Sequence, residues 1–414
     1  MALTKNASVP GIDVLFITQV GTVSAGNSTF SAQQLNQASK VADSYESFIS
    51  AAKSSIHMAI YDFRLQGDAA TKVIGALNSA ADAGIDVRIA YYEAPKQPTP
   101  DAFAMLGSDP AVVNDGLGGA KFHKAVSIRP VKSNEENPNL VPPVVGEAIE
   151  PPHNLMHSKY IIRDGQSADA AILMGSANST TDAWSVQDNN VVILTGCQEL
   201  SSYYGNDFNE MWQSGQISNT GNFDTADVSV GDTEVRVMFS PGRGRQIGTE
   251  IASVIDGAQN RLLVASMVIS SGPIMGAMVD RMHRVDTFGG IFDGPEMRMV
   301  ISQWGRSSAN AATNSTSNKR SAASASKAKE FAELARFMHF KKSLPFTTKG
   351  IHNLMHNKFA VVDDTVITGS FNFSTNAQSN AENVLFITSK DLADAYAQYV
   401  KLLISNYPDT GSPE

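Results

Sequence analysis

The chain is poor in cysteine, since Cys197 is the only thiol among its 414 residues, and an internal disulfide is therefore impossible. It also lacks an apolar run long enough to cross a bilayer, so we expect no transmembrane segment. The N-terminal segment has only a short apolar patch and predicts no signal peptide. These absences favour a soluble protein, either cytoplasmic or secreted after loss of a leader, for which contact with a membrane surface stays open.

Positive charge is also scarce, because 32 Lys and Arg face 41 Asp and Glu and give a formal net charge of −9. A nucleic-acid-binding protein usually has a basic surface, so this balance mildly disfavours that class. Residues 319–349 are a local exception with eight basic side chains: Lys319, Arg320, Lys327, Lys329, Arg336, Lys341, Lys342 and Lys349. We interpret them as a solvated helix face that follows a mobile loop at 307–326. The alternative is a basic rim that attracts an anionic substrate.

What the sequence does contain is one motif written twice. Residues 153–159 read HNLMHSK and residues 352–358 read HNLMHNK. Each copy holds His-x-Lys, then an aspartate, and each is followed by a Gly-Ser-x-Asn turn. The residues are His157, Lys159, Asp164, Ser176 and Asn178 in the first copy, and His356, Lys358, Asp363, Ser370 and Asn372 in the second. Aligned without gaps, the two turns lead to the carboxylates Asp188 and Glu382, each ten positions after its asparagine.

Hydrophobic patterns around the motifs alternate between strands and helices, which predicts an α/β fold. We expect two similar α-β-α halves at residues 12–213 and 234–405, joined by a polar linker at 214–233. Their central mixed sheets should pack face to face, with one active site between them. Predicted strands outside the motifs include Ser55–Tyr61, Ile85–Ala90, Val191–Leu194, Arg261–Met267, Met297–Ile301 and Val384–Ile387. Helices are predicted around residues 35–49, 200–211, 251–255 and 392–403.

The residue types of the motif suit chemistry at phosphorus. Histidine titrates near neutral pH, so two histidines can divide the roles of nucleophile and general acid. Lysine is a compact cation that suits phosphate oxygens, and serine and asparagine add neutral donors. In a strand, His157 and Lys159 point to one face, as do His356 and Lys358. Because lysines can stabilise the developing charge, this chemistry requires no metal and no cofactor.

The doubled HxKxxxxD pattern with its GSxN turns resembles the phospholipase D superfamily, over nearly the whole chain. The second half, HNKFAVVDDTVITGSFNFSTNAQSNAEN, is most similar to the bacterial phosphodiesterase and nuclease branch. The first half departs from it by five extra residues between Asp164 and Gly175. The resemblance implies a metal-independent phosphodiesterase that works through a covalent phosphohistidine, by hydrolysis or by transfer to an alcohol. A monomer would hold a complete site.

The resemblance also implies roles for individual residues. His157 is expected to be the nucleophile and His356 the acid, although the symmetry of the motifs allows the reverse. Asp188 would orient His157, and Glu382 would orient His356. The lysines and asparagines would bind the phosphate, with Ser176 and Ser370 assisting. Asp164 and Asp363 would brace the motifs through salt bridges.

Two substrate classes stay open, and the acidic charge balance favours phospholipid over nucleic acid. A lipid would need an apolar approach, for which residues 138–152 and 337–346 are candidates. A nuclease would use the basic stretch at 319–349. A binding module without catalysis is disfavoured because no motif position is lost in either half. The preceding histidines, His153 and His352, invite a metal site, but their loop context favours structural roles.

Overall fold

The computed structural model describes residues 5–93, 120–132, 154–218, 220–310, 318–344, 350–411 and 413. Its first half is an eight-stranded mixed sheet in the order β1-β2-β10-β8-β7-β3-β5-β6. Only the β3-β5 and β5-β6 pairs are parallel, and the other pairs in this sheet are antiparallel. The strands are β1 (Lys5–Val9), β2 (Ile12–Ile17), β3 (Ser55–Ile60), β5 (Asp86–Glu93), β6 (Ser127–Lys132), β7 (Lys159–Arg163), β8 (Ala171–Gly175) and β10 (Asn189–Thr195).

The second half repeats this sheet with the same strand order, β11-β12-β18-β17-β16-β13-β14-β15. Its strands are β11 (Val228–Val230), β12 (Thr233–Ser240), β13 (Arg261–Ser266), β14 (Thr287–Asp293), β15 (Met338–Lys341), β16 (Lys358–Val362), β17 (Thr365–Gly369) and β18 (Glu382–Thr388). The duplicated motif therefore reflects a duplicated sheet. A separate two-stranded pair joins β4 (Phe63–Arg64) to β9 (Ser179–Thr180) in the first half.

Helices cover the outer faces of both sheets. In the first half they are α1 (Ala32–Ser50), α2 (Gly67–Asp82) and the short α3 (Thr181–Ser185), whose apolar faces form one core with the sheet. In the second they are α5 (Gly244–Asp256), α6 (Gly272–Arg281), α7 (Gly294–Asn310) and α8 (Asn318–Leu334). The sequence dictates such starts locally: Ser31 and Gln34 form a capping box at the beginning of α1.

The inner faces of the two sheets share a third core, and two helices lie within it. These are α4 (Gln198–Ser214) and α9 (Lys390–Asn406), which follow the equivalent strands β10 and β18. Helix α4 contacts strands of the first sheet and β12 of the second, while α9 contacts strands of the second sheet and β1 of the first. The α/β class and the two similar halves are thus as predicted, with α4 and α9 between the sheets.

Most predicted elements are found close to their expected places, but one strand was assigned wrongly. Residues Met297–Ile301 lie inside α7, and the strand of this region is β14, which ends at Asp293. The helical pattern is visible in the burial, since Met297 is buried while Arg298 and Met299 are exposed. Pro295 also stands near the start of α7, where proline fits a first helical turn.

Two segments predicted as irregular contain regular structure. The proposed linker at 214–233 includes the edge strand β11, which pairs with β12. The mobile loop proposed at 307–326 is helical where it is described, because α7 continues to Asn310 and α8 begins at Asn318, and residues 311–317 of it lie outside the described residues. Among the described residues no helix is long and apolar enough to cross a membrane.

Candidate active site

The two motifs enter the seam between the halves in matching ways. The backbone amide of His157 donates to the carbonyl of Ala381 at 2.9 Å, and that of His356 donates to the carbonyl of Asp188 at 3.0 Å. Each motif therefore forms a short bridge with the opposite half just before its lysine begins β7 or β16. This exchange of backbone hydrogen bonds brings the two predicted histidines, both buried, to one place.

The side chains that hold the two histidine rings differ in type, because one is an ionisable carboxyl and the other a neutral amide. The Nδ1 atom of His157 lies 2.7 Å from Oε2 of Glu382, while Nδ1 of His356 lies 3.0 Å from Oδ1 of Asn189. Asn189 also donates from Nδ2 to the carbonyl of Ala183 at 3.1 Å, which fixes its amide oxygen towards His356. An amide oxygen only accepts hydrogen bonds, so His356 carries its proton on Nδ1 and leaves Nε2 towards the site.

The predicted pairing of carboxylates with histidines was wrong. Glu382 contacts His157, not His356, and Asp188 binds Lys341 with a distance of 2.6 Å between Oδ2 and Nζ. The ungapped alignment caused the error. In the sheets, Val191 pairs with Gly175 and Val384 pairs with Gly369. Counting back from those valines, the counterpart of Glu382 is Asn189.

Lys159 and Lys358 are buried at the starts of equivalent strands. Each Nζ donates to the carbonyl of its own motif histidine, at 2.6 Å for Lys159 and 2.7 Å for Lys358. Burial lowers the pKa of Lys159 to about 7 and holds the pKa of Lys358 well below its usual range. Desolvation therefore disfavours the charged forms of both lysines. A bound anion would stabilise those charged forms, so the site favours an anion beside the two lysines.

The histidines respond to the same environment. Burial, followed by the charges of Lys159 and Lys358, holds the pKa of His157 well below its usual range. Burial and the same two lysines do so for His356. The carboxyl of Glu382 shifts in the opposite direction, since burial raises its pKa to about 8. The groups act on one another electrostatically, and clusters of strongly perturbed groups are typical of active sites.

The serines of the GSxN turns were expected to assist phosphate binding, but they bind the histidine partners instead. The hydroxyl of Ser176 donates to Oδ1 of Asn189 at 2.8 Å. Ser370 holds the corresponding place, where its side chain bonds Glu382 and its Oγ accepts from the amide of Asn383 at 3.0 Å. Both serines are fully buried, so they position the residues that orient the histidines.

The asparagines of the turns behave differently. Among the described residues, the buried Oδ1 atoms of Asn178 and Asn372 find no hydrogen-bond partner. Two orphaned amides at equivalent positions of the repeat call for an explanation, because buried polar atoms are normally satisfied. A ligand or a water that donates hydrogen bonds to both amide oxygens would supply it.

The glycines that open these turns are needed for close packing. A Cβ on Gly175 would lie 2.2 Å from the carbonyl oxygen of Asn190, and one on Gly369 would lie 2.1 Å from that of Asn383. These contacts are far shorter than any side chain allows. The serine that follows each glycine can therefore reach the neighbouring strand only because the glycine has no side chain.

The structure does not bring Asp164 and Asp363 to the histidines. They follow the far ends of β7 and β16, with φ of 51° and 50°. The carboxylate of Asp164 accepts from the backbone amides of residues 53–55, and that of Asp363 accepts from those of residues 259–261. These bonds lower the pKa of both. The aspartates brace the sheet through backbone amides, where we had expected salt bridges.

Lys341 is the functional neighbour that sequence reasoning misplaced. We had interpreted it as part of a solvated helix face, yet it lies on β15 with 1% of its side chain exposed, paired with Asp188. Nearby, the buried carboxylate of Asp293 accepts from the amide of Met355 at 2.8 Å. Burial raises the pKa of Asp293 to about 6. Asp188 and Asp293 therefore both form hydrogen bonds with the chain segment that contains His356. The available signal was the alternation of apolar and polar residues that is typical of a strand, in which Met338 and Phe340 alternate with His339 and Lys341.

Only some of the remaining candidate residues lie within the described part of the chain. His153 and residues 138–152 lie outside the described residues. His352 is buried, with Nδ1 3.7 Å from Oδ2 of Asp182, which fits the structural role expected of it. Phe340, in the proposed apolar approach, is buried in the core of the second half, so it offers no surface to a lipid. Tyr61, which we had not singled out, places its ring 4.9 Å from that of His157 and under Nζ of Lys159.

Within the described residues, no three His, Cys, Asp or Glu side chains converge in a way that could hold a metal ion. The absence of a metal from the reaction stays a prediction. What the arrangement offers is two imidazoles, each with Nδ1 bound to a side chain of the opposite half, and two buried lysines whose pKa is lowered. Such a set can bind a tetrahedral anion and exchange protons with it.

Comparison with known proteins gives a consistent result. The family model described as "Cardiolipin synthase, PLD-like domain" matches residues 45–212 and 251–404. The phospholipase D of Rickettsia prowazekii (strain Madrid E) is 38% identical over 71 residues, which are 17% of this chain and 34% of the relative. That of Rickettsia bellii (strain RML369-C) is 48% identical over 50 residues, 12% of this chain and 25% of the relative. The chain thus spans about a third of the length of the first relative and a quarter of that of the second.

Among solved structures, the phosphatidylserine synthase of Haemophilus influenzae Rd KW20 superimposes with a TM-score of 0.54 and 12% identity. The superposition covers 94% of this chain and 90% of the other. At this identity the likeness concerns the fold, including both sheets.

Proposed function

Because the chain belongs to this family of phospholipase D-like domains, as its motifs predicted, we propose that it is a metal-independent phosphodiesterase acting on phospholipids. Family membership supports a hydrolase of the phosphodiesterase type. The observation that carries the proposal is the meeting of His157 and His356 with both motif lysines at one buried seam. Phospholipid is favoured over nucleic acid by the net charge of −9 and by relatives named phospholipase D.

In this proposal, Nε2 of His157 attacks phosphorus and the bond to the leaving alcohol oxygen breaks. His356 gives its Nε2 proton to that oxygen. Lys159, Lys358 and the amides of Asn178 and Asn372 hold the non-bridging oxygens. Water then attacks phosphorus, His356 takes up the proton of that water, and the bond to His157 breaks. An alcohol in place of water would give transfer of the phosphatidyl group.

The unequal partners of the histidines support this assignment of roles. A phosphorylated His157 that keeps its Nδ1 proton is a cation, and the carboxylate of Glu382 can stabilise it at 2.7 Å. His356 faces the neutral oxygen of Asn189. Without a carboxylate partner a protonated imidazole stays a stronger acid, which suits a group that must give up its proton.

An anion in the site favours protonation of His356. Burial, and after it the charges of Lys358 and Lys159, lower the pKa of His356, and a bound phosphodiester offsets the lysine charges. Substrate binding would therefore favour protonation of His356 as well as position the phosphorus atom.

A parallel assay tests the proposal. Phosphatidylcholine vesicles and single-stranded DNA are each incubated with the full chain in EDTA, with His157→Ala and His356→Ala as controls. We expect choline release that both substitutions abolish, and no DNA cleavage. Cleavage of DNA without choline release would make the protein a nuclease. Activity that disappears in EDTA and returns with Mg²⁺ or Zn²⁺ would refute the metal-free mechanism.

A further inference from the structure

A cavity lined by residues of both halves lies outside the histidine and lysine site and has a volume of about 430 Å³. The side chains used below are Asn154, Ser218, Arg243, Arg245, Gln246 and Gln378. A space of this size is in the range of small-molecule sites.

The lining of the cavity is basic and amide-rich. Arg243 and Arg245 supply two guanidinium groups, and no acidic side chain lines the cavity within the described part of the chain. Arg243 pairs with the carboxylate of Asp224 at 2.7 Å, and the side chain of Asp224 is 93% exposed. Helix α5 begins at this wall without a side-chain cap, so its first amides add to the positive potential. The cavity is therefore suited to an anion.

Two buried polar atoms in the wall have no partner among the described residues. They are the hydroxyl of Ser218 and Nε of Arg243. Arg243 already uses its other nitrogens, on Asp224 and on Oε1 of Gln246 at 3.3 Å. Burying a donor without a partner is unfavourable, so a ligand that accepts from Nε of Arg243 would stabilise this arrangement.

The cavity is linked to the catalytic pair by a short route. Asn154 precedes His157 by three residues, which in extended chain spans roughly 10 Å. The amide of Leu155 donates to Oδ1 of Asn380 at 2.8 Å, and Nδ2 of Asn380 donates to Oε1 of Glu382 at 3.1 Å. The wall of the cavity and His157 are thus joined both by three residues of chain and by the hydrogen bonds of Asn380.

We propose that this cavity binds a second anionic group of the substrate, carried on the headgroup of the phospholipid. The inference rests on the proposed function, since it assumes a lipid phosphodiester at the histidines. The guanidinium groups of Arg243 and Arg245 recognise a phosphate or carboxylate that a neutral headgroup lacks. The substrate class is then a diacyl phospholipid whose headgroup bears its own anion beyond the scissile phosphate.

Two lipids that differ only in that group provide the test. Phosphatidylglycerol and phosphatidylglycerol phosphate are presented at low mole fraction in neutral detergent micelles, so that surface charge is matched. We expect the wild-type chain to show kcat/KM at least tenfold higher for the second lipid, through a lower KM. Equal kcat/KM on the two lipids would overturn the inference while leaving the proposed function standing. Cleavage of neither lipid would instead overturn the proposed function.

Arg245→Gln tests the residue, because Arg245 is exposed and its loss leaves the core intact. We expect it to remove most of the preference, with a loss on the two-anion lipid about tenfold greater than on phosphatidylglycerol. Arg284→Gln is the matched control, since Arg284 is equally exposed but precedes β14 at the end remote from the site. If Arg245→Gln lowered kcat/KM equally on both lipids, Arg245 would not recognise the second anion.

Discussion

At the scale of single residues, the site is a near-symmetric structure with one asymmetric pair. Glu382 and Asn189 occupy equivalent positions on β18 and β10, and each contacts the ring of the histidine from the opposite half. The motif lysines are matched in the two halves, as are the serines that bind these partners. The difference between a carboxyl and an amide partner is the feature on which the proposed roles of the two histidines rest.

Exchanging these partners gives the first prediction. Glu382→Gln removes the carboxylate that stabilises a cationic phosphohistidine, so we expect kcat to fall about 10²–10⁴-fold, the range typical of groups that support acid–base chemistry. Asn189→Asp places a carboxylate beside His356 and raises its pKa. The descending alkaline limb of the kcat profile should then move to higher pH, with a much smaller loss of activity. Profiles of kcat against pH for both variants provide the measurement, and similar profiles for both would refute the assignment of roles.

The lowered pKa values of Lys159 and Lys358 give a prediction about pH dependence. In the empty site burial holds the pKa of Lys159 at about 7, and that of Lys358 is also lowered. An oxyanion stabilises their charged forms and so raises both values, which means that binding takes up protons. Affinity should therefore be greatest below pH 7 and weaken as pH rises above it.

Sulfate is a suitable probe because it stays a dianion over this range. Its inhibition constant should increase from pH 6 to pH 9, and calorimetry in buffers of different ionisation enthalpy should show proton uptake. Lys159→Met, as a control, should bind sulfate more weakly and flatten the profile. A constant affinity for the wild-type chain across this range would contradict the proposed state of the lysines.

At the scale of elements, the sequence was enough to predict the strands that carry the motifs and the helices after them. It failed where one residue decides the register. Asn178 precedes Asn189 by eleven positions, whereas Asn372 precedes Glu382 by ten. Anchoring the alignment on the strands, NNV against ENV, would have revealed the inserted residue. The inserted residue lies between Asn178 and β10, in the segment that contains β9 and α3, where an ungapped comparison has no shared strand pattern to follow.

The error at Lys341 has a different cause. Charge clusters usually indicate solvated surface. Sequence alone does not show that one lysine of the cluster, Lys341, pairs with a buried carboxylate in the other half of the chain. Asp188 and Lys341 are 153 positions apart. Such long-range pairs become visible only when both sheets are assembled.

This buried pair supports the third prediction. Lys341→Met leaves the carboxylate of Asp188 without its cation, and breaking a buried pair in this way costs about 3–5 kcal/mol of stability. Activity should fall too, because the backbone of Asp188 bonds both Leu354 and His356. The double variant Lys341→Met with Asp188→Asn removes the uncompensated charge and should recover part of the stability.

Thermal unfolding of the single and double variants, with kcat measured on each, provides the comparison. A double variant no more stable than Lys341→Met would show that the uncompensated carboxylate is not the cause of the loss.

At the scale of the whole molecule, the two halves are joined by polar contacts as well as by a shared core. Asn190 of β10 donates to Oδ1 of Asn357 at 3.0 Å and accepts from Thr368 at 2.8 Å. On the other side, Asn383 of β18 donates to the hydroxyl of Tyr204 at 3.1 Å. Buried hydrogen bonds of this kind fix one relative placement, because any displacement would leave several polar atoms unsatisfied. Repetition of the motif within one chain therefore yields a single site with a defined geometry.

The last prediction follows from that placement. If one chain supplies both histidines, mixing His157→Ala and His356→Ala chains should restore no activity, even after joint unfolding and refolding. If halves were instead exchanged between two chains, random pairing would regenerate intact sites and return about a quarter of the wild-type rate, as for other swapped dimers. The mixture is assayed on the substrate that the wild-type chain cleaves, with refolded wild type as the reference for recovery. Refolded single variants set the background. Because Glu382 and Asn189 each support the histidine of the opposite half, a rescued mixture would mean that this crossing of partners occurs between molecules, and the site would require a dimer.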